Sequence, residues 1–204
     1  NAPVVQIIIQ TINNKLLIKQ RNMKTPLINT LFAVFTLLGS CQQATPPTPT
    51  WLSTVDHEVH KLGTFNWVII AEPSFPALSR SGVTTITTPV STTEALDGVL
   101  QSIDSHSHVR PRIHLTREAG AVSEHDTPGI DDYRTKLKQV LNERNTLTLT
   151  NNTLNLLITD ARKNYRILVI KTTTSLPYTS VFLELESGYW DGVSETALRK
   201  RLNR

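Results

Sequence analysis

Residues Asn66 to Ala71 read NWVIIA, a continuous apolar run too short for an ordinary helix. A strand that is apolar at successive positions has both faces buried, and that requires a sheet covered by helices on each side. Similar runs return at Tyr165 to Lys171 (YRILVIK) and at Ser180 to Leu185 (SVFLEL), with a Pro-containing turn between them. Arg112 to Thr116 reads as a further strand. Helical spacing fills the intervals. Leu52, Val55, Val59 and Leu62 define a helix over 51–62, with Gly63 as its C′ residue. Ser91 and Glu94 form a capping-box pattern ahead of Leu96, Val99, Leu100 and Ile103. Ile130, Tyr133, Leu137, Val140 and Leu141 mark a helix over 129–143. Another helix runs over 152–163, after the short alternating segment Thr146 to Thr150, and a closing helix covers 195–202. Strands alternating with helices predict one α/β domain over residues 51–204, its sheet largely parallel and covered by helices on both faces. Ligands in such sheets sit at the carboxyl ends of strands, which directs attention to Glu72–Pro76 and Thr172–Thr179.

The residues ahead of this domain have a different character. The chain begins with Asn1, and residues 1–22 show neither helical periodicity nor turn chemistry, so they are expected to be an upstream extension. From Met23 the pattern is that of an export signal over 23–40. Lys24 supplies the positive start, Leu27 to Leu38 the apolar stretch, and Leu38-Gly39-Ser40-Cys41 a lipobox. An apolar stretch of about twelve residues is short of the roughly 20 needed to span a bilayer. Cys41, the sole cysteine, is the expected lipidation site, and residues 41–50 (CQQATPPTPT) form a Pro/Thr-rich tether. The expected location is outside the cytoplasm, anchored to a bacterial membrane by lipid.

This division changes the charge argument. The whole chain has a net charge of +4, but Lys15, Lys19, Arg21 and Lys24 precede Cys41, which leaves basic and acidic residues equal in number beyond it. A surface that tracks nucleic-acid phosphates is therefore not expected. A single cysteine reserved for lipid leaves no disulfides, so stability must come from the core and from association.

Phosphate-binding signatures are absent: there is neither GxGxxG nor a Walker pattern. His57 and His60 stand three apart, His106 and His108 two apart, and His114 and His125 alone. Pairs without a third ligand of defined spacing read as solvated histidines, so no metal site is expected. His125, ahead of the 129–143 helix, is the histidine to watch near a site. Arg110 and Arg112 beside Pro111 read as surface ion-pair residues, and Arg199-Lys200-Arg201 suits the negative end of the last helix.

Two segments carry a resemblance. Leu62 to Pro76 (LGTFNWVIIAEPSFP) looks like the opening motif of the D-ribose pyranase/L-fucose mutarotase (RbsD/FucU) family, and Leu176 to Val181 (LPYTSV) looks like its closing P-Y-x-N motif. His108-Val109-Arg110-Pro111 and Gly188-Tyr189-Trp190 suggest a divergent branch. The resemblance implies an α/β fold that assembles into rings, a free monosaccharide as partner, and interconversion of its anomers or ring forms without cofactor or metal. A non-catalytic monosaccharide-binding or assembly module is the alternative. Carried over by position, Glu72 and Tyr178 are the catalytic pair, and Thr64, Asn66, Thr179 and Ser180 contact substrate; His125, which lies in neither motif, is expected to contact substrate in place of the missing imidazole. Thr64 stands where the family has histidine, Glu72 where it has aspartate, and Ser180 where it has asparagine.

Overall fold

The computed structural model describes residues 48–203, so the export signal, Cys41 and most of the tether lie outside the described residues. Six strands form one sheet in the order β2-β5-β1-β6-β3-β4. They are β1 (Trp67–Ala71), β2 (Val83–Thr87), β3 (Val109–Thr116), β4 (Thr146–Leu149), β5 (Ile167–Lys171) and β6 (Val181–Ser187). The helices are α1 (Thr50–Val59), α2 (Thr92–Ser105), α3 (Arg117–Ala121), α4 (Ile130–Leu141), α5 (Asn151–Ala161) and α6 (Gly192–Leu202).

The sheet is largely parallel, as the alternation of elements requires. β1 pairs in parallel with β5, β5 with β2, and β3 with β4. Only β6 is reversed, running antiparallel to both β1 and β3. That reversal puts the start of β6 beside the ends of β1 and β3, and the site is built there.

Side chains alternate between the two faces of the pleat. Val68 and Ile70 of β1, Leu168 and Ile170 of β5, and Leu183 and Leu185 of β6 pack under α1, α2 and α4. Trp67, Ile69, Val169 and Phe182 face the other way, beneath Leu154 and Ile158 of α5. This explains the unbroken apolar run at 67–71: all five residues are buried because both faces are covered.

Local chemistry fixes the helix ends. Ser91 Oγ accepts the Glu94 amide at 3.3 Å while Glu94 Oε2 accepts the Ser91 amide at 2.9 Å, completing the capping box. Gly129 precedes α4 with φ 95°, a left-handed conformation that costs glycine least. Asp191 caps α6 at the Ser194 amide, so that helix starts three residues earlier than its spacing suggests.

Other boundaries also shift. α1 ends at Val59 and is closed by a right-handed His60 rather than by Gly63; the left-handed residue in that turn is Phe65, φ 68°. β3 begins at Val109 and runs through Pro111, because β4 pairs only with Ile113–Thr116 and the missing Pro111 amide faces an open edge. β2, VTTIT, went unrecognised: as an edge strand it is half exposed, and its threonines read as polar.

Candidate functional site

Three chain segments meet at the open end of the sheet: the end of β1 at Glu72, the end of β3 at Thr116, and the turn Pro177–Ser180 that leads into β6. Glu72 ties them together. Its Oε2 accepts the Thr179 amide at 3.1 Å, and its Oε1 accepts the Ser74 hydroxyl at 2.9 Å. In return the Glu72 amide donates to Ser180 Oγ at 3.2 Å. The Thr179 hydroxyl has one proton, and the Leu176 carbonyl at 2.8 Å takes it in preference to Glu72 at 3.5 Å.

The turn is also held from behind. Tyr133 of α4 donates its hydroxyl to the Thr179 carbonyl at 2.8 Å, and Thr116 donates to the Tyr178 carbonyl at 2.5 Å. Burial, reinforced by the charge of Glu72, pushes the Tyr133 phenol well above the ordinary tyrosine range, so it remains a donor. Clamped this way, Tyr178 adopts φ 61°, uncommon for a residue with a Cβ, and its side chain stays 40% exposed.

Tyr178, Thr116 and Ser180 form a partition between two clefts. On one side lies a cleft of about 600 Å³, walled by Glu72, Phe75, Asn155, Ile158 and Arg162. On the other, a cleft of about 380 Å³ is bounded by Arg117, Tyr133, Arg134, Lys138 and Arg144. Both volumes fall in the range of small-molecule sites. Two of the cations are already committed to the fold. Arg134 donates to the Ala119 carbonyl at 2.8 Å and pairs with Asp131 at 2.6 Å, while Arg144 pairs with Asp104.

The sequence-derived residues divide accordingly. Glu72, Tyr178, Thr179 and Ser180 come together. Thr64 and Asn66 do not: they precede β1, and a five-residue strand separates its two ends by about 17 Å. Thr64 instead borders a small depression with Trp190 and Glu195. Asn66 is a turn brace, its Nδ2 donating to the Gly63 carbonyl at 3.0 Å and its Oδ1 accepting the Arg166 amide at 2.7 Å. His125 is almost wholly solvent-exposed beside Asp126 and lines neither cleft. Tyr133, Arg134 and Lys138 were missed as site residues, because on α4 they read as one core position and two solvated cations. The i, i+4 spacing of Arg134 and Lys138 on one helix face was the available signal. Among the described residues, no group of three or more His, Cys, Asp or Glu is arranged to hold a metal as it stands.

No family model matches the chain, and no curated protein matches it. Solved structures do. RbsD of Bacillus subtilis, complexed with D-ribose, aligns at 14% identity over 70% of this chain and 96% of its own, with a TM-score of 0.49. FucU of Bifidobacterium longum aligns at 17% identity over 68% and 98%, TM-score 0.46. The fucose mutarotase of Streptococcus pneumoniae, in complex with L-fucose, aligns at 17% identity over 70% and 98%, TM-score 0.47.

Proposed function

We propose that this domain binds a free monosaccharide in the cleft between Glu72 and Tyr178 and interconverts its anomers or ring forms. The observation that carries this reading is the convergence of a carboxylate from the end of β1 and a strained, exposed phenol from the β6 turn on one cleft. The chemistry asks for little more. A base takes the proton of the anomeric hydroxyl while an acid donates to the ring oxygen, the ring opens to the aldehyde, and the roles reverse on closure. Glu72 serves as the base and Tyr178 as the acid. Asn155 and Arg162, on the far wall, supply donors and an acceptor for the remaining hydroxyls.

A second reading has its own support. The Glu72 carboxylate already accepts from Thr179 and Ser74, so it serves as a brace for the Tyr178 turn whether or not it moves a proton. In that case the domain is a monosaccharide-binding module without turnover. Line-shape and exchange NMR with a panel of free sugars separates the two. Accelerated anomer exchange supports the enzyme, binding without acceleration supports the module, and absence of both removes the sugar reading.

Lipid anchoring rests on the Leu38-Gly39-Ser40-Cys41 motif. Cys41→Ser is expected to abolish labelling by a fatty-acid analogue and to leave unprocessed precursor. Association into a homo-oligomer is carried by the resemblance of Leu62–Pro76 and Leu176–Val181 to the RbsD/FucU motifs, which implies rings. Light scattering of residues 50–204 is expected to give a mass above that of one chain, and a monomer at micromolar concentration removes this reading.

A further inference from the structure

Three imidazoles gather at the end of the sheet opposite the clefts. His60 closes α1, and His106 and His108 lie in the loop from α2 into β3. Their ring centroids are 5.6 Å apart for His60–His106, 5.6 Å for His106–His108 and 6.1 Å for His60–His108. Metal–nitrogen bonds of about 2.0–2.1 Å put each ring centroid about 3.2 Å from a bound ion, so tetrahedral ligands have centroids about 5.2 Å apart. The rings already stand within about 1 Å of that spacing.

The hydrogen bonds behind the rings select their tautomers. His106 Nε2 lies 3.1 Å from Asp56 Oδ1, and His108 Nε2 lies 3.0 Å from the Leu62 carbonyl. A carboxylate and a carbonyl only accept, so both Nε2 atoms carry a proton, and in the neutral ring that leaves the lone pair on Nδ1. A carboxylate or carbonyl behind the distal nitrogen is the usual outer shell of a metal-bound histidine. Asp56 is itself oriented: the Ser102 hydroxyl donates to the same oxygen at 2.8 Å and, with His106, holds the carboxyl below its ordinary range.

We infer that His60, His106 and His108 form a site for a first-row divalent cation of the zinc class, bound through Nδ1 of His106 and of His108, with Asp56 and the Leu62 carbonyl as outer shell. The donor atoms do not yet converge on one point, so binding requires side-chain rotation, chiefly of His60 at the exposed end of α1. Neutral imidazoles suit zinc, nickel and copper, and three protein ligands leave one position for water. An ion here joins α1 to the α2–β3 loop.

The test uses the full untagged chain, with cobalt(II) as the spectroscopic probe and zinc followed by calorimetry. One equivalent is expected to bind at micromolar or tighter Kd, with the visible absorption of a four- or five-coordinate cobalt ion. His108→Gln, which can retain a donor to the Leu62 carbonyl, and His60→Ala are each expected to abolish that absorption. Asp56→Asn is expected to weaken binding 10- to 100-fold, as loss of an outer-shell partner does. His57→Ala, outside the cluster, is expected to bind as the parent does. Circular dichroism without metal checks that each variant is folded. No saturable binding by the parent, or undiminished affinity in folded His60→Ala or His108→Gln, overturns the site. None of these readouts involves sugar, so the outcome is independent of the proposed activity.

Discussion

The imidazole of His114 stacks on the indole of Trp67, with ring centroids 5.3 Å apart and planes inclined by 30°. His114 is 4% exposed; its Nε2 lies 3.4 Å from Glu184, and its Nδ1 has no hydrogen-bond partner among the described residues. Burial lowers its pKa, and this outweighs the upward pull of Glu184; Arg112 adds to the lowering and Glu186 opposes it. Because the folded pKa lies below the unfolded value of about 6.5, the unfolded chain takes up the proton first. Stability is therefore unaffected by this residue above about pH 6.5 and falls as the pH drops from there through the folded pKa. Urea unfolding from pH 7.5 to 5 is expected to show a steeper loss for the parent than for His114→Phe, which retains an aromatic ring against Trp67. Equal slopes exclude His114 as the cause.

Glu72→Gln and Tyr178→Phe test the proton transfers directly. General acid/base groups contribute on the order of 10² to 10⁴ in rate. Each variant is expected to bring sugar-dependent anomer exchange down to near the spontaneous rate while sugar-induced chemical shifts persist. Thr64→His, at the opposite end of β1, is expected to leave exchange unchanged within one protomer. A gain in that variant places a neighbouring copy's Thr64 at the cleft.

Removing the Tyr133 hydroxyl leaves the buried Thr179 carbonyl without its 2.8 Å partner. An unsatisfied buried acceptor costs about 1–3 kcal/mol, and the turn that carries Tyr178 loses one of its fixings. Tyr133→Phe is expected to lower the urea midpoint and weaken sugar binding together. Below about pH 11 its phenolate absorbance is expected to match that of the parent, because burial keeps the Tyr133 phenol from ionising in that range.

Gly188 meets a steric limit rather than a dihedral one. A Cβ placed there stands 2.3 Å from the Ser107 carbonyl oxygen, and backbone atoms cannot swing aside. Gly188→Ala is expected to destabilise the domain by about 1–3 kcal/mol, as overpacking does. Ser107 lies between His106 and His108, so the same variant is expected to weaken the metal site as well. A thermal midpoint equal to the parent's contradicts the contact.

Much of the fold was legible because it is written in local periodicity. NWVIIA announced a strand buried on both faces, Ser91 and Glu94 announced a helix start, and the stripe from Ile130 to Leu141 announced α4. β2 was not legible, since VTTIT owes its strand to pairing with β5 and not to an apolar pattern of its own. Within the site, Glu72 could be placed because it ends a recognisable strand. Tyr133 could not, because its ring is a core ring and only its hydroxyl reaches the turn.

Sequence by itself determined most element types and the two-faced covering of the sheet, since each follows from side chains a few positions apart. The tertiary structure decided which distant residues meet. The reversal of β6 carries Tyr178 to Glu72, and the α1–α2 packing carries His60 to His106 and His108. Periodicity describes one element's own faces, whereas strand order and direction depend on free energies summed over the whole core.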